Sequence, residues 1–160
     1  MRAFFNYAIF AVGFSQLCIA EENSSPLAAL KLFEGRWTIK GMEATYSEVC
    51  TWLPGERYLE CRSEDKSTTP HEFGTSVLGF SEQDQVYTYQ SLGASTRQMR
   101  GMMEGGVWRF FGQSERGPEW RRWQIVIKPT ETGFHFQEQV SVRGGPWKEA
   151  VVLDYIRIKN

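Results

Sequence analysis

The sequence predicts an all-β chain: an antiparallel up-and-down β-barrel of about ten strands, with a short N-terminal helix closing one end. Three observations predict it. From residue 36 onward, apolar and polar residues alternate with period two through runs rich in Val, Ile, Thr, Tyr, Phe and Trp. The runs recur every 8–12 residues or so, the spacing of a barrel or a sandwich. The connections between them are short and built from turn residues, which favours pairing of neighbours and hence the barrel. About ten strands closed on themselves leave an interior wide enough for a small molecule.

Composition sets the outer bounds. The chain has 160 residues, 18 Lys and Arg against 19 Asp and Glu, and a net charge of −1. That length suits one domain. The charge balance gives no general electrostatic reason to bind nucleic acid or an anionic membrane surface. With 14% aromatic residues the chain has too much apolar surface to stay disordered.

The first element is not part of the fold. Residues 1–20 carry a lone Arg2, an apolar run from Ala3 to Gly13 broken by Asn6, then small residues up to Ala20 before Glu21-Glu22. This is the layout of a cleaved signal peptide. The alternatives are an uncleaved anchor, for which the run is short and interrupted, and a lipidated Cys18, for which Ser15-Gln16-Leu17 lacks the expected small residue. The expectation is a secreted or periplasmic protein with one domain over 21–160 and no stable membrane insertion. Asn23-Ser24-Ser25 is also a glycosylation sequon.

The domain opens with Ser25 as a helix cap and Pro26 in the first turn. A short apolar-faced helix over 27–33 follows, ended by Gly35. Strands are then expected near 36–42, 45–53, 57–64, 73–80, 85–91, 96–103, 107–114, 121–128, 133–142 and 148–158. Turn chemistry divides them at Leu53-Pro54-Gly55-Glu56, Ser81-Glu82-Gln83-Asp84, Gly93-Ala94, Glu104-Gly105-Gly106, Gly117-Pro118, Lys128-Pro129-Thr130 and Gly144-Gly145-Pro146. The polar stretch 63–72 reads as the longest loop.

Once the leader is removed, two cysteines remain. A turn centred near Gly55 sets Cys50 opposite Cys61, and Trp52 opposite Leu59 on the same face. Opposed residues bring their Cβ atoms close enough for a disulfide, and an exported chain meets an oxidising compartment. The alternatives are two free buried thiols, or a redox or metal site. No Cys-x-x-Cys is present, and no His lies close by to complete a metal set.

Phe33-Glu34-Gly35-Arg36-Trp37 carries Gly-x-Trp where the helix meets the first strand, and Tyr155-Ile156-Arg157-Ile158 places an Arg in the last strand. This pairing resembles the calycin superfamily. The resemblance implies that Arg157 stacks across Trp37 and seals the barrel floor, a cation–π contact. Cys50 to Leu59, Val77-Leu78-Gly79-Phe80 leading to Tyr87, and Gly144-Gly145-Pro146-Trp147 resemble more specifically the lipocalin-like domains of unknown function in secreted bacterial proteins. The likeness spans about residues 27–158. It departs from the pattern at Arg143-Gly144-Gly145, where an Asp-Gly is usual, and in its cysteine pair. It implies an architecture and a binding role rather than a reaction.

Faces follow from period two. A turn at 81–84 sets Leu78 opposite Tyr87. A turn at Gly93-Ala94 sets Tyr89 opposite Gln98 and Tyr87 opposite Arg100. Tyr87, Tyr89, Gln98 and Arg100 then share an interior patch suited to an anionic head group. A slip of one residue would send these side chains to solvent. On strand 133–142, Phe134, Phe136 and Glu138 face inward. Glu138 on an apolar face needs a base such as Arg100 or Arg109, or it titrates high enough to act as an acid.

The remaining features read as ordinary structure. His71 and His135 are surface residues with no partner that would define a haem or metal site. No nucleophile elbow is present. The Arg116–Arg122 stretch reads as a turn with snorkelling arginines rather than a single-strand nucleic-acid surface. Met99, Met102 and Met103 are wall or core residues. The reading is a barrel that binds a small hydrophobic or amphipathic molecule. Its tail would lie against Trp52, Leu78, Trp123, Phe134 and Phe136, and its head group would meet Arg100, Tyr87 and Gln98. No catalytic residue, cofactor or metal is assigned. The alternatives are an isomerase, cyclase or lyase using Glu138 or a Tyr, and a filled barrel acting as an interaction module.

Overall fold

Ten strands follow one another and close into a barrel in a computed structural model that describes residues 25–93, 96–116 and 119–159. The expected signal peptide and Asn23 lie outside the described residues, as do Ala94 and the Gly117-Pro118 turn. A short helix α1 (Pro26–Ala29) runs into a 3-10 turn (Leu30–Leu32). The strands are β1 (Gly35–Ile39), β2 (Tyr46–Trp52), β3 (Tyr58–Asp65), β4 (Glu72–Ser81), β5 (Val86–Leu92), β6 (Arg97–Glu104), β7 (Val107–Arg116), β8 (Glu119–Pro129), β9 (Gly133–Val142) and β10 (Lys148–Arg157). Each pairs antiparallel with its chain neighbour, and β1 pairs with β10 to close the cylinder.

The boundaries differ from the expected ones by a few residues, for local reasons. β1 stops at Ile39 because the chain turns at Gly41, whose φ of 85° suits glycine. β10 carries a bulge between Glu149 and Val151. Ser25 holds the N-cap position without a side-chain cap bond, so Pro26 alone sets the helix start. Gly35 does not end the helix but opens β1, at φ 121°. A Cβ there would run into the Arg157 guanidinium.

The closed end is packed solid. Leu30 and Phe33 drop into the barrel beside Trp37, Trp108 and Phe134 and are almost fully buried. Burying two such side chains stabilises the fold by about 1.5–3 kcal/mol each. Phe33 meets Trp108 and Phe134 edge-on, with ring centroids 5.2 and 5.4 Å apart. Tyr87 ties the helix down by donating to the Pro26 carbonyl at 3.0 Å. Arg157 lies over Trp37 at 4.2 Å and donates to the Glu34 carbonyl at 2.8 Å, so the floor is sealed as the resemblance implies. Cys50 and Cys61 face one another across β2 and β3 and are joined by a disulfide.

Two expected registers need correction. Across β4 and β5, Leu78 faces Tyr89 rather than Tyr87, because the turn leaves Ser81 paired with Val86. That shift of two residues keeps every side chain on its expected face. Across β5 and β6 the shift is a single residue: Tyr89 faces Met99, Gln90 faces Gln98 and Thr88 faces Arg100. Gln98 and Arg100 therefore stand on the outer face, and both are exposed. Arg100 pairs there with Asp84 at 3.1 Å. The interior positions expected for Gln98 and Arg100, opposite Tyr89 and Tyr87, are taken by Met99 and Gly101, both buried.

Candidate functional site

Along most strands the inward residues grade from apolar at the helix-plugged end to polar at the other. On β2 they run Trp52, Cys50, Glu48, Tyr46. On β3 they run Leu59, Cys61, Ser63, and on β4 Leu78, Ser76, Gly74. On β5 they run Tyr87, Tyr89, Ser91, and on β9 Phe134, Phe136, Glu138. The gradient leaves a polar cup at the mouth, a cavity of about 270 Å³. Hydroxyls of Tyr46, Tyr89, Tyr155, Ser63, Ser76 and Ser91 line it, with Glu48 and Arg97 as its charged groups and Cys61 in its wall.

Glu48 is the central group. Tyr46 donates to its Oε2 at 3.0 Å, and the Tyr46 hydroxyl lies 3.3 Å from that of Tyr155. Its other polar neighbour among the described residues is Cys50 Sγ, 3.7 Å from Oε1. That sulfur is bonded to Cys61 and has no proton to give. Burial pushes the Glu48 carboxyl up to about 7, and the Tyr46 hydrogen bond only partly offsets this. The tyrosines respond in kind. Burial, then the charge of Glu48, raises Tyr46, and the same two causes hold Tyr155 well above its ordinary value. Tyr89 is pushed up to about 12, mainly by burial, with Glu48 adding to the effect and Arg97 opposing it.

Arg97 and Glu138 form the second charged unit. An Arg97 Nη1 meets Glu138 Oε2 at 2.5 Å, and the guanidinium lies 5.3 Å over the Trp123 ring. Glu138 is buried, inward and paired, as its place on an apolar face requires. Its base is Arg97, not Arg100 or Arg109; both of those are exposed on the outer face.

The expected ligand-contacting residues thus divide. Tyr89 lines the cavity, Glu138 and Trp123 support its Arg97, and Phe136 packs behind Tyr155 at 6.2 Å. Tyr87 and Phe134 belong to the packed floor. Leu78 is likewise buried in the core, and Trp52 borders the outside of the helix. The apolar interior expected for a ligand tail is therefore filled by the protein's own side chains. Tyr46, Glu48, Tyr155 and Arg97 were not singled out from sequence. For Glu48 a signal existed: it lies two residues before Cys50, on the face the disulfide marks as inward.

Larger hollows lie elsewhere; one of about 380 Å³ borders Leu27, Lys31, Glu34, Trp52 and Glu56 on the outside of the helix. One of about 520 Å³ borders Trp37, Arg157 and the Thr130–Gly133 turn. One of about 430 Å³ borders Phe111, Arg122, Trp123 and Trp147. In these last two, the central groups have protein partners: Trp37 donates to the Phe33 carbonyl, Arg157 to the Glu34 carbonyl, and Arg122 Nη2 to Ser141 while the guanidinium lies over Trp120 and Trp147. The mouth cavity differs in holding an inward-facing carboxylate oxygen, Glu48 Oε1, that no N–H or O–H donor among the described residues meets. The ligand atoms of Glu48, Cys50 and Cys61 lie within 4.8 Å of one another, but the disulfide consumes both thiols and leaves a metal one carboxylate. No helix among the described residues is long and apolar enough to cross a membrane.

Comparison with known proteins adds no relative: no family model matches the chain, and no curated protein matches its sequence.

Proposed function

We propose that this protein is an exported calycin-like barrel that binds one small polar or amphipathic molecule, polar group first, in the cavity at its mouth. The observation that carries this reading is the cup itself: about 270 Å³ of space lined by hydroxyls and a carboxylate above a solid apolar floor. Known ligand sites run from about 300 Å³ upward, so the occupant is metabolite-sized rather than a long-chain lipid. An apolar part of the ligand would remain near the rim, where Leu92 lines the cavity and Phe73 is 68% exposed. Export is supported by the leader pattern at residues 1–20 and by the Cys50–Cys61 disulfide.

Native mass spectrometry of protein purified from its own host tests the reading. The wild type should retain a small molecule, and Ser91→Phe, which fills the cup, should not. A wild type that carries nothing and shifts with no small-molecule probe would refute it.

One observation favours a second reading, an enzyme of the isomerase or lyase type. Glu48 sits in a cavity with no salt-bridge partner among the described residues, hydrogen-bonded to Tyr46, with its pKa raised to about 7 by burial. Recovery of the retained molecule chemically altered after incubation with fresh protein would select that reading over simple binding.

A further inference from the structure

We propose that the mouth cavity selects a protonated amine, with Glu48 as its counter-ion and the rings of Tyr46, Tyr89 and Tyr155 as its walls. This rests on the binding reading above and names the ligand class. The argument starts from the charges that reach the cup. On β6, Arg97 is committed to Glu138 of β9 and to the face of Trp123. Its Nε is fully buried and out of a ligand's reach. That pair cancels, and Glu48 of β2 is left as the net charge.

The other groups around Glu48 are neutral. β10 contributes Tyr155, β5 Tyr89, β3 Ser63 and the disulfide, and β1 places Trp37 opposite it. Tyr46 satisfies one carboxylate oxygen. The other, Oε1, has a disulfide sulfur as its nearest polar neighbour among the described residues.

Three kinds of ligand can be weighed against that arrangement. An anion would enter beside two carboxylates, Glu48 and Glu138, with Arg97, the one base lining the cavity among the described residues, already paired. A neutral alcohol could reach the hydroxyls but would leave the desolvated Glu48 charge unmatched. An ammonium supplies N–H donors to Oε1, neutralises the charge, and gains from the electron-rich faces of the tyrosines. The raised pKa of Glu48 agrees with this, since it marks a carboxylate whose charged form lacks a partner.

The test uses three probes of similar shape: phenethylammonium, 2-phenylethanol and 3-phenylpropionate. Isothermal titration calorimetry compares wild type, Glu48→Gln and Ser91→Phe, with circular dichroism to confirm that each variant is folded. The wild type should bind the ammonium at least about tenfold more tightly than the alcohol, and the carboxylate weakest. Glu48→Gln should lose that preference while keeping its affinity for the alcohol. Ser91→Phe should lose all binding. As pH falls below about 7, ammonium affinity should fall by up to about tenfold per unit, because the site must ionise to bind.

Equal or tighter binding of the alcohol or the carboxylate would overturn the amine inference and leave the cavity reading standing. So would a Glu48→Gln variant that keeps its ammonium preference. Failure of all three probes to bind the wild type, or binding that survives Ser91→Phe, would remove the cavity reading and the inference with it.

Discussion

Replacing Glu48 by Gln should stabilise the protein, and only above a definite pH. Gln keeps the shape and can still accept from Tyr46, but it cannot ionise. In the fold, Glu48 titrates at about 7 against an ordinary value of 4.5. Because the folded pKa is raised, the folded state holds this proton more tightly than the unfolded chain does. Below about 4.5 the carboxyl is neutral in both states and exacts no charge penalty. Between about 4.5 and 7 the unfolded chain ionises first, and folding stability falls. Above about 7 both states are ionised and the loss is complete. The gap of about 2.5 units, at about 1.36 kcal/mol each, sets an upper limit on the order of 3 kcal/mol. Urea unfolding followed by tryptophan fluorescence, with the disulfide intact, measures it for both proteins across this range. The two should agree near pH 4 to within about 1 kcal/mol and diverge through the window to a plateau. Other titrating groups cancel in the difference. A difference that is constant with pH, or a Gln variant that is the less stable at high pH, would refute the account of Glu48 as a desolvated, unpartnered charge.

Arg157→Ala removes the stack on Trp37 and the hydrogen bonds to the Glu34 and Leu32 carbonyls, and should cost about 2 kcal/mol in urea unfolding. Two arginines on β6 should separate sharply. Arg97→Met strands Glu138 and should cost about 3 kcal/mol at neutral pH, whereas Arg100→Ala breaks only a surface pair with Asp84 and should cost under about 0.5 kcal/mol. Reduction of Cys50–Cys61, which are 11 residues apart, should lower stability by at most about 3 kcal/mol, read as the shift in urea midpoint with and without reductant.

Much of the architecture was legible because it is written in short-range pattern. Period-two alternation marked the ten strands, and Gly55 fixed the β2–β3 register closely enough to place Cys50 against Cys61. Trp37 and Arg157, at opposite ends of the chain, came from resemblance rather than from periodicity. The candidate site was less legible because its membership depends on parity across turns. The β5–β6 connection is one residue out from the expected register, and that put Arg97, Met99 and Gly101 on the inner face in place of Gln98 and Arg100. The β4–β5 turn was also misjudged, but by two residues, and that error left Tyr87 and Tyr89 where they were expected. Nothing in the pattern announced that Leu30 and Phe33 would fill the lower barrel, because the depth to which a plug helix inserts is a tertiary outcome. That filling moved the available space from the apolar interior to the mouth.

Closure of the cylinder by β1 and β10 ties the earliest strand to the latest. Every other pairing joins chain neighbours, so this one alone must close a loop of almost the whole domain, and it carries the largest loop-closure entropy of the ten. A chain shortened by its last strand would not form a narrower version of the same vessel. It would leave two raw sheet margins, at β1 and β9, each able to recruit a neighbouring molecule. The last strand, β10, therefore acts as the clasp of the whole object.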